Sequence, residues 1–197
     1  MRYLVLAAAA VFSALIASSP AGAAVKTSVK TKHYSISGKD GAALLAQMDR
    51  RGPKHGFLTR AIAQTSYTVN WEIDWTRKSD VCRVKNAVAR LSITYTYPEA
   101  TGALSPQLKQ RWARFMKGVR KHEEMHGTLA AHMVKAADKA ITGFAMKNDP
   151  GCRKAQNAVK RRVDEIYALY EAKQHRFDAV EHQPGGAVDS LVRALGR

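Results

Sequence analysis

The sequence predicts an α+β fold: a small antiparallel sheet of about three strands and a short helix, packed on two long C-terminal helices. Two hydrophobic periods carry that expectation. Between residues 25 and 97 polar and apolar side chains roughly alternate, as along half-buried strands, and after Pro98 the apolar spacing changes to every third or fourth residue, as on one face of a helix. At 197 residues the chain is long enough for one domain with a sizeable core and short for two.

Residues 1–23 read as a signal peptide. Met1-Arg2 is a short positive start, Leu4 to Ala17 is nearly unbroken apolar sequence, and Ala21-Gly22-Ala23 is an A-x-A cleavage signature. The apolar run is short for a membrane span and no second one follows, so the mature chain is expected to start near Ala24, to carry no transmembrane anchor, and to be periplasmic or secreted. Export would let Cys82 and Cys152 pair, and a disulfide is the expected state of these two cysteines.

A single domain is expected over residues 24–182. Val25 to Ser37 alternates around Val29, Tyr34 and Ile36 and reads as a strand ended by Gly38. Asp40 is placed to cap a helix that carries Leu44, Leu45 and Met48 and stops before Gly52-Pro53. Gln64 to Trp75 and Val81 to Tyr97 read as two antiparallel strands, with Tyr67, Trp71 and Trp75 on a core face or lining a substrate cleft. Ser105-Pro106 is an N-cap followed by proline at the first helical position, opening a helix to about Met146, where Asn148-Asp149-Pro150-Gly151 stops it. A second helix is expected from about Lys154 to Gln174. Residues 183–197, beginning Gln183-Pro184-Gly185-Gly186, read as a weakly ordered tail.

Thirty-two Lys and Arg stand against 16 Asp and Glu, a net charge of +16. Such a chain is drawn to anionic surfaces, and an electrostatic association with the anionic cell envelope is expected. Specific nucleic-acid recognition is not, because no helix-turn-helix, zinc-finger or RNA-binding aromatic spacing accompanies the charge.

One segment has a spacing that matches a definite chemistry. His122-Glu123-Glu124-Met125-His126 is an H-E-x-x-H motif in the middle of the strongest helical segment. Residues four apart on a helix lie about 40° apart around the axis and about 6 Å along it, so both imidazoles can hold one Zn2+. Glu123, beside the first ligand, is the expected general base toward a metal-activated water. A catalytic zinc takes three protein ligands, so one is missing. His132 falls at the spacing used by metzincin proteases, but Leu129 stands where their glycine turns the chain. If the helix continues, His132 lies about 120° around from His126 and too far along to share a metal.

Beyond the motif, Tyr34-Ser35-Ile36-Ser37-Gly38, Met48-Asp49-Arg50-Arg51-Gly52-Pro53, Trp71, Cys82-Arg83, Cys152 and Phe177-Asp178-Ala179-Val180-Glu181-His182 together resemble a bacterial family of predicted secreted zinc-dependent proteases, catalogued as a domain of unknown function. Phe177 stands where that family usually has tyrosine, and Gln183 where it has glycine. The resemblance implies His122 and His126 as metal ligands, Glu123 as general base and a Cys82 to Cys152 disulfide. It raises His182 to preferred third ligand, with Asp178 as the alternative ligand or as a carboxylate orienting a ligand histidine. Tyr167, Tyr170 and His175 are conceivable oxyanion stabilisers.

The expected function is an exported zinc metallopeptidase acting on a peptide, protein or cell-wall peptide, which leaves an amidase on wall peptides open. The alternative is a non-catalytic, envelope-associated binding or scaffolding module with a structural or vestigial metal site. A fourth protein ligand closing the metal would favour it.

Overall fold

Strand β1 (Ala24–Ile36) is the first element of a computed structural model that describes residues 24–55 and 59–197. The expected signal peptide, residues 1–23, lies outside the described residues. Asp40 caps α1 (Gly41–Arg51) by accepting from the Ala43 N–H at 2.8 Å, and the helix stops at Gly52 as its sequence predicts. A minimal hairpin, β2 (Lys54–His55) and β3 (Thr59–Arg60), leads into β4 (Gln64–Lys78) and β5 (Val81–Ala100).

The sheet has the order β1-β5-β4. β4 and β5 pair antiparallel, as expected for neighbours joined by a tight turn. β1 pairs parallel to β5, so the sheet is mixed rather than wholly antiparallel. Parallel pairing needs a crossover: α1 and the small hairpin carry the chain past the place of β5 at one end of the sheet, and β4 runs back to the other end, where β5 starts. One face of β5, including Ala87, Ala89, Leu91 and Ile93, is buried, while Arg90 and Ser92 on the other are exposed.

The long helix α2 (Pro106–Ile141) crosses the buried face, opened by Ser105, whose hydroxyl accepts from the Leu108 N–H. It ends at Ile141 rather than near Met146. The Thr142 hydroxyl and N–H both turn back to the Asp138 carbonyl, and Gly143 takes φ +70°, a left-handed conformation that costs glycine little. Ala145–Met146 then forms β6 on β5. Small residues meet where α2 crosses the sheet: a Cβ on Gly127 would sit 2.1 Å from the Tyr95 hydroxyl oxygen. Glycine there lets the helix lie close to β5.

The last two helices depart most from expectation. α3 (Arg153–His182) runs eight residues past Gln174, because nothing breaks a helix before Gln183-Pro184-Gly185-Gly186. Residues 183–197, expected as a weakly ordered tail, instead make a turn and α4 (Ala187–Gly196). Its Val188 and Leu195 are buried, Leu195 completely, in company with Ile36, Leu44, Met48 and Phe115. Glycines admit it: a Cβ on Gly41 would stand 1.7 Å from the Leu195 carbonyl oxygen, and one on Gly118 2.3 Å from a Leu191 methyl. Val188, Leu191, Val192 and Leu195 already show helical spacing in the sequence. Leu195→Ala should therefore lower unfolding free energy by about 2–5 kcal/mol, read as a lower urea midpoint at unchanged slope. A tail residue would leave it unchanged.

Cys82, at the start of β5, and Cys152, which caps α3 in a left-handed conformation, form the expected disulfide across a sequence separation of 70. Closing a loop of that length stabilises by roughly 4 kcal/mol in the chain-entropy account. Replacing both cysteines by serine should cost about that much in denaturant unfolding, while an unchanged midpoint would show that the bridge contributes nothing.

Candidate metal centre

α2 and α3 pack against each other, and each presents a pair of polar side chains four residues apart to the other. From α2 come His122 and His126; from α3 come Asp178 and His182. His122 Nε2, His126 Nε2 and Asp178 Oδ1 form a triangle with sides of 3.2, 3.3 and 2.8 Å. Ligand atoms about 2.0–2.1 Å from a tetrahedral zinc lie about 3.3 Å from one another, so this triangle has the dimensions of three corners of such a site. His182 offers a further ring nitrogen: ligand atoms of His122, Asp178 and His182 all fall within 4.8 Å of one another.

Hydrogen bonding makes the convergence chemically specific. Gln174, one turn before Asp178, donates from Nε2 to the His126 carbonyl at 3.3 Å, which orients its amide. Its Oε1 therefore faces His126 Nδ1, at 2.5 Å, and the ring donates from Nδ1. In a neutral ring the lone pair of Nε2 then points at a carboxylate oxygen. Acceptors gathered in this way call for a cation among them, either a proton or a metal ion. His122 is oriented less completely. Its Nδ1 is buried without a hydrogen bond, and the nearest carboxylate, Glu181, is 3.7 Å away.

Glu123 is 95 % removed from solvent, with 5 % of its surface exposed, and its carboxylate Oε2 lies 2.6 Å from the Thr65 hydroxyl of β4. That hydroxyl holds the carboxylate from the sheet side. Phe177 stacks on the His122 ring at 4.9 Å and meets His126 edge-on at 5.2 Å, walling the site with apolar surface. The electrostatics follow. Burial works against a charged His126, but hydrogen bonds to Asp178 and Gln174 outweigh it and raise its pKa. Burial likewise opposes ionisation of Asp178, yet its bonds to His122 and His126 hold it well below the usual carboxylate range. His182 is lowered, first by burial and then by the His122 charge.

The group opens into a cleft of about 740 Å3 between β3 and β4 on one side and α2 and α3 on the other, with Val188 of α4 contributing. Glu123, His126, Asp178 and His182 all line it. His132 does not: it is exposed on the outward side of α2, which continues straight through it. Of the three conceivable oxyanion stabilisers only His175 reaches the cleft. The Tyr167 hydroxyl accepts from Trp71 Nε1 at 2.8 Å, and Tyr170 lies under the Lys173 ammonium. Tyr67 lines the cleft, whereas Trp71 and Trp75 pack on the core clusters.

Thr65, Gln174 and Glu181 were not anticipated. Gln174, Asp178, Glu181 and His182 follow helical spacing along a single face, a polar stripe that becomes legible only once α3 extends past Gln174. Thr65 has no local signal, since its role depends on how β4 meets α2.

Residues 31–186 match the model of a protein family described as "Bacterial protein of unknown function (DUF922)". No curated protein and no solved structure matches the chain.

Proposed function

The chain belongs to this bacterial family of unknown function, and from the geometry between α2 and α3 we propose that it is an exported zinc-dependent metallopeptidase. The observation that carries the reading is the meeting of three potential ligand atoms 2.8–3.3 Å apart with a buried Glu123 lining the same cleft. His122, His126 and Asp178 would hold the ion. His182 is placed to replace Asp178 or to join it.

A zinc ion there would polarise the amide carbonyl and bring water to ionise near neutrality. Every other step falls to the chain. Glu123, desolvated and steadied by Thr65, accepts the proton of the attacking water and returns it to the leaving nitrogen. Gln174 keeps the His126 lone pair turned inward. Phe177 and the core behind it keep bulk water off the ligand rings. The cleft, with Ile62, Ala63 and Val188 at its wall and His175 at its mouth, is large enough for a few residues of peptide. Peptides, proteins and wall peptides share the amide bond this arrangement serves.

The test is to equilibrate the protein with zinc, measure the metal retained after dialysis, and follow cleavage of a quenched fluorescent peptide library. Retained zinc with chelator-sensitive cleavage supports the reading, and failure to retain any metal removes it. One observation favours a second reading, a structural metal in a non-catalytic module: if Asp178 and His182 both ligate, four protein groups close the site. Absence of an exchangeable water on the bound metal would establish that reading instead.

A further inference from the structure

Residues 106–121 of α2 contain Lys109, Arg111, Arg114, Lys117, Arg120 and Lys121 and no carboxylate. This arrangement costs stability. The first turn lacks the acidic residue that the helix dipole favours, and Arg114/Lys117, Lys117/Arg120 and Lys117/Lys121 set like charges at the three- and four-residue spacings where helix neighbours repel. Among the described residues none of these cations lies within ion-pair distance of a carboxylate. Arg114, Lys117, Arg120 and Lys121 surround a surface groove of about 590 Å3 over Gly118, with Glu124 its one acid. None of the four lines the metal cleft. The charge is thus concentrated, offset only by Glu124 and by the Tyr97 ring 5.8 Å from the Arg120 guanidinium, and separate from the metal site.

The same helix row continues into an apolar tip. Lys117, Lys121 and Met125 follow one another at four-residue spacing, and Met125 is 40 % exposed, one of the few large apolar side chains so placed. Cations beside an exposed apolar residue on an exposed helix face suit a plane of anionic headgroups, each cation gaining from the surface potential while the apolar tip enters the interface. A single-stranded nucleic acid would call for exposed aromatic rings to stack on, and the groove has none. We propose that the outward face of α2 from Arg114 to Met125 is a docking surface for a bilayer carrying anionic lipid. The inference is independent of the peptidase reading, since these residues neither hold the metal nor line its cleft.

With a net charge of +16 the whole protein is attracted to any anionic surface, so the test must compare equal charge removed from different places. Co-sedimentation with vesicles of phosphatidylcholine and phosphatidylglycerol is measured for the wild type, for Arg114→Gln/Lys117→Gln/Lys121→Gln, and for Lys26→Gln/Lys30→Gln/Lys32→Gln on exposed β1. The α2 triple variant should lose roughly a hundredfold in partitioning, and the β1 variant only a few-fold. Arg114→Lys/Lys117→Arg/Lys121→Arg should bind as the wild type does, and added salt should release it. Equal losses in the two triple variants would reduce the effect to net charge and overturn the proposal. So would a wild type that ignores the vesicles or prefers duplex DNA to them.

Discussion

Glu123→Gln is expected to retain bound zinc and to lose peptide hydrolysis by about 10²–10⁴-fold, the usual worth of a positioned general base. The substitution is nearly isosteric, so its amide oxygen can still accept the Thr65 hydroxyl bond that is 2.6 Å long in the wild type. Packing between α2 and β4 should therefore survive, and what disappears is the capacity to take a proton. Metal content, measured beside turnover, separates the outcomes. Retained metal with lost turnover places Glu123 in the chemistry, lost metal makes it part of the binding site, and unchanged turnover removes it from the mechanism.

The second large effect is at the missing ligand. Asp178→Ala should weaken zinc binding by more than the 10–100-fold typical of groups that only orient ligands, which is the range expected for Gln174→Ala. Asp178 Oδ1 stands 2.8 Å from one ring nitrogen and 3.3 Å from the other, whereas Gln174 reaches His126 on its far side. His182→Ala is the informative comparison. If it costs as much as Asp178→Ala, both groups ligate and the site is closed. If it costs less than Gln174→Ala, His182 lies outside the coordination shell. A competition titration against a chromophoric chelator reads all three variants on one scale.

Much of this architecture was legible because it is local. The alternation through β4 and β5, the Asp40 cap and the Ser105-Pro106 start are short-range signals, and each marks an element that forms. His122, Glu123 and His126 were visible because one helical turn is itself a geometric statement. Parallel pairing of β1 with β5 was hidden, since strand direction depends on where a crossover returns the chain. The end of α2 is hidden in the sequence because Phe144 and Met146 extend the apolar spacing while serving a loop and a strand. The polar stripe on α3 is hidden for a related reason. A helix ending at Gln174 offers no phase in which Asp178, Glu181 and His182 share a side, and α3 runs on to His182. In residues 183–197 the glycine and proline that open the segment are stronger local signals than the four apolar positions that follow the turn and seat α4.

The disulfide has a consequence for how firmly α3 is held. It fastens the first turn of α3 to β5, while Asp178 and His182 lie near the other end of a helix 30 residues long, about 45 Å. That far end is pinned too, because past His182 the chain turns into α4, whose Leu195 is wholly buried among Ile36, Leu44, Met48 and Phe115. The helix is thus a beam resting on two posts, one covalent and one apolar, and the groups it carries toward His122 and His126 are set by both.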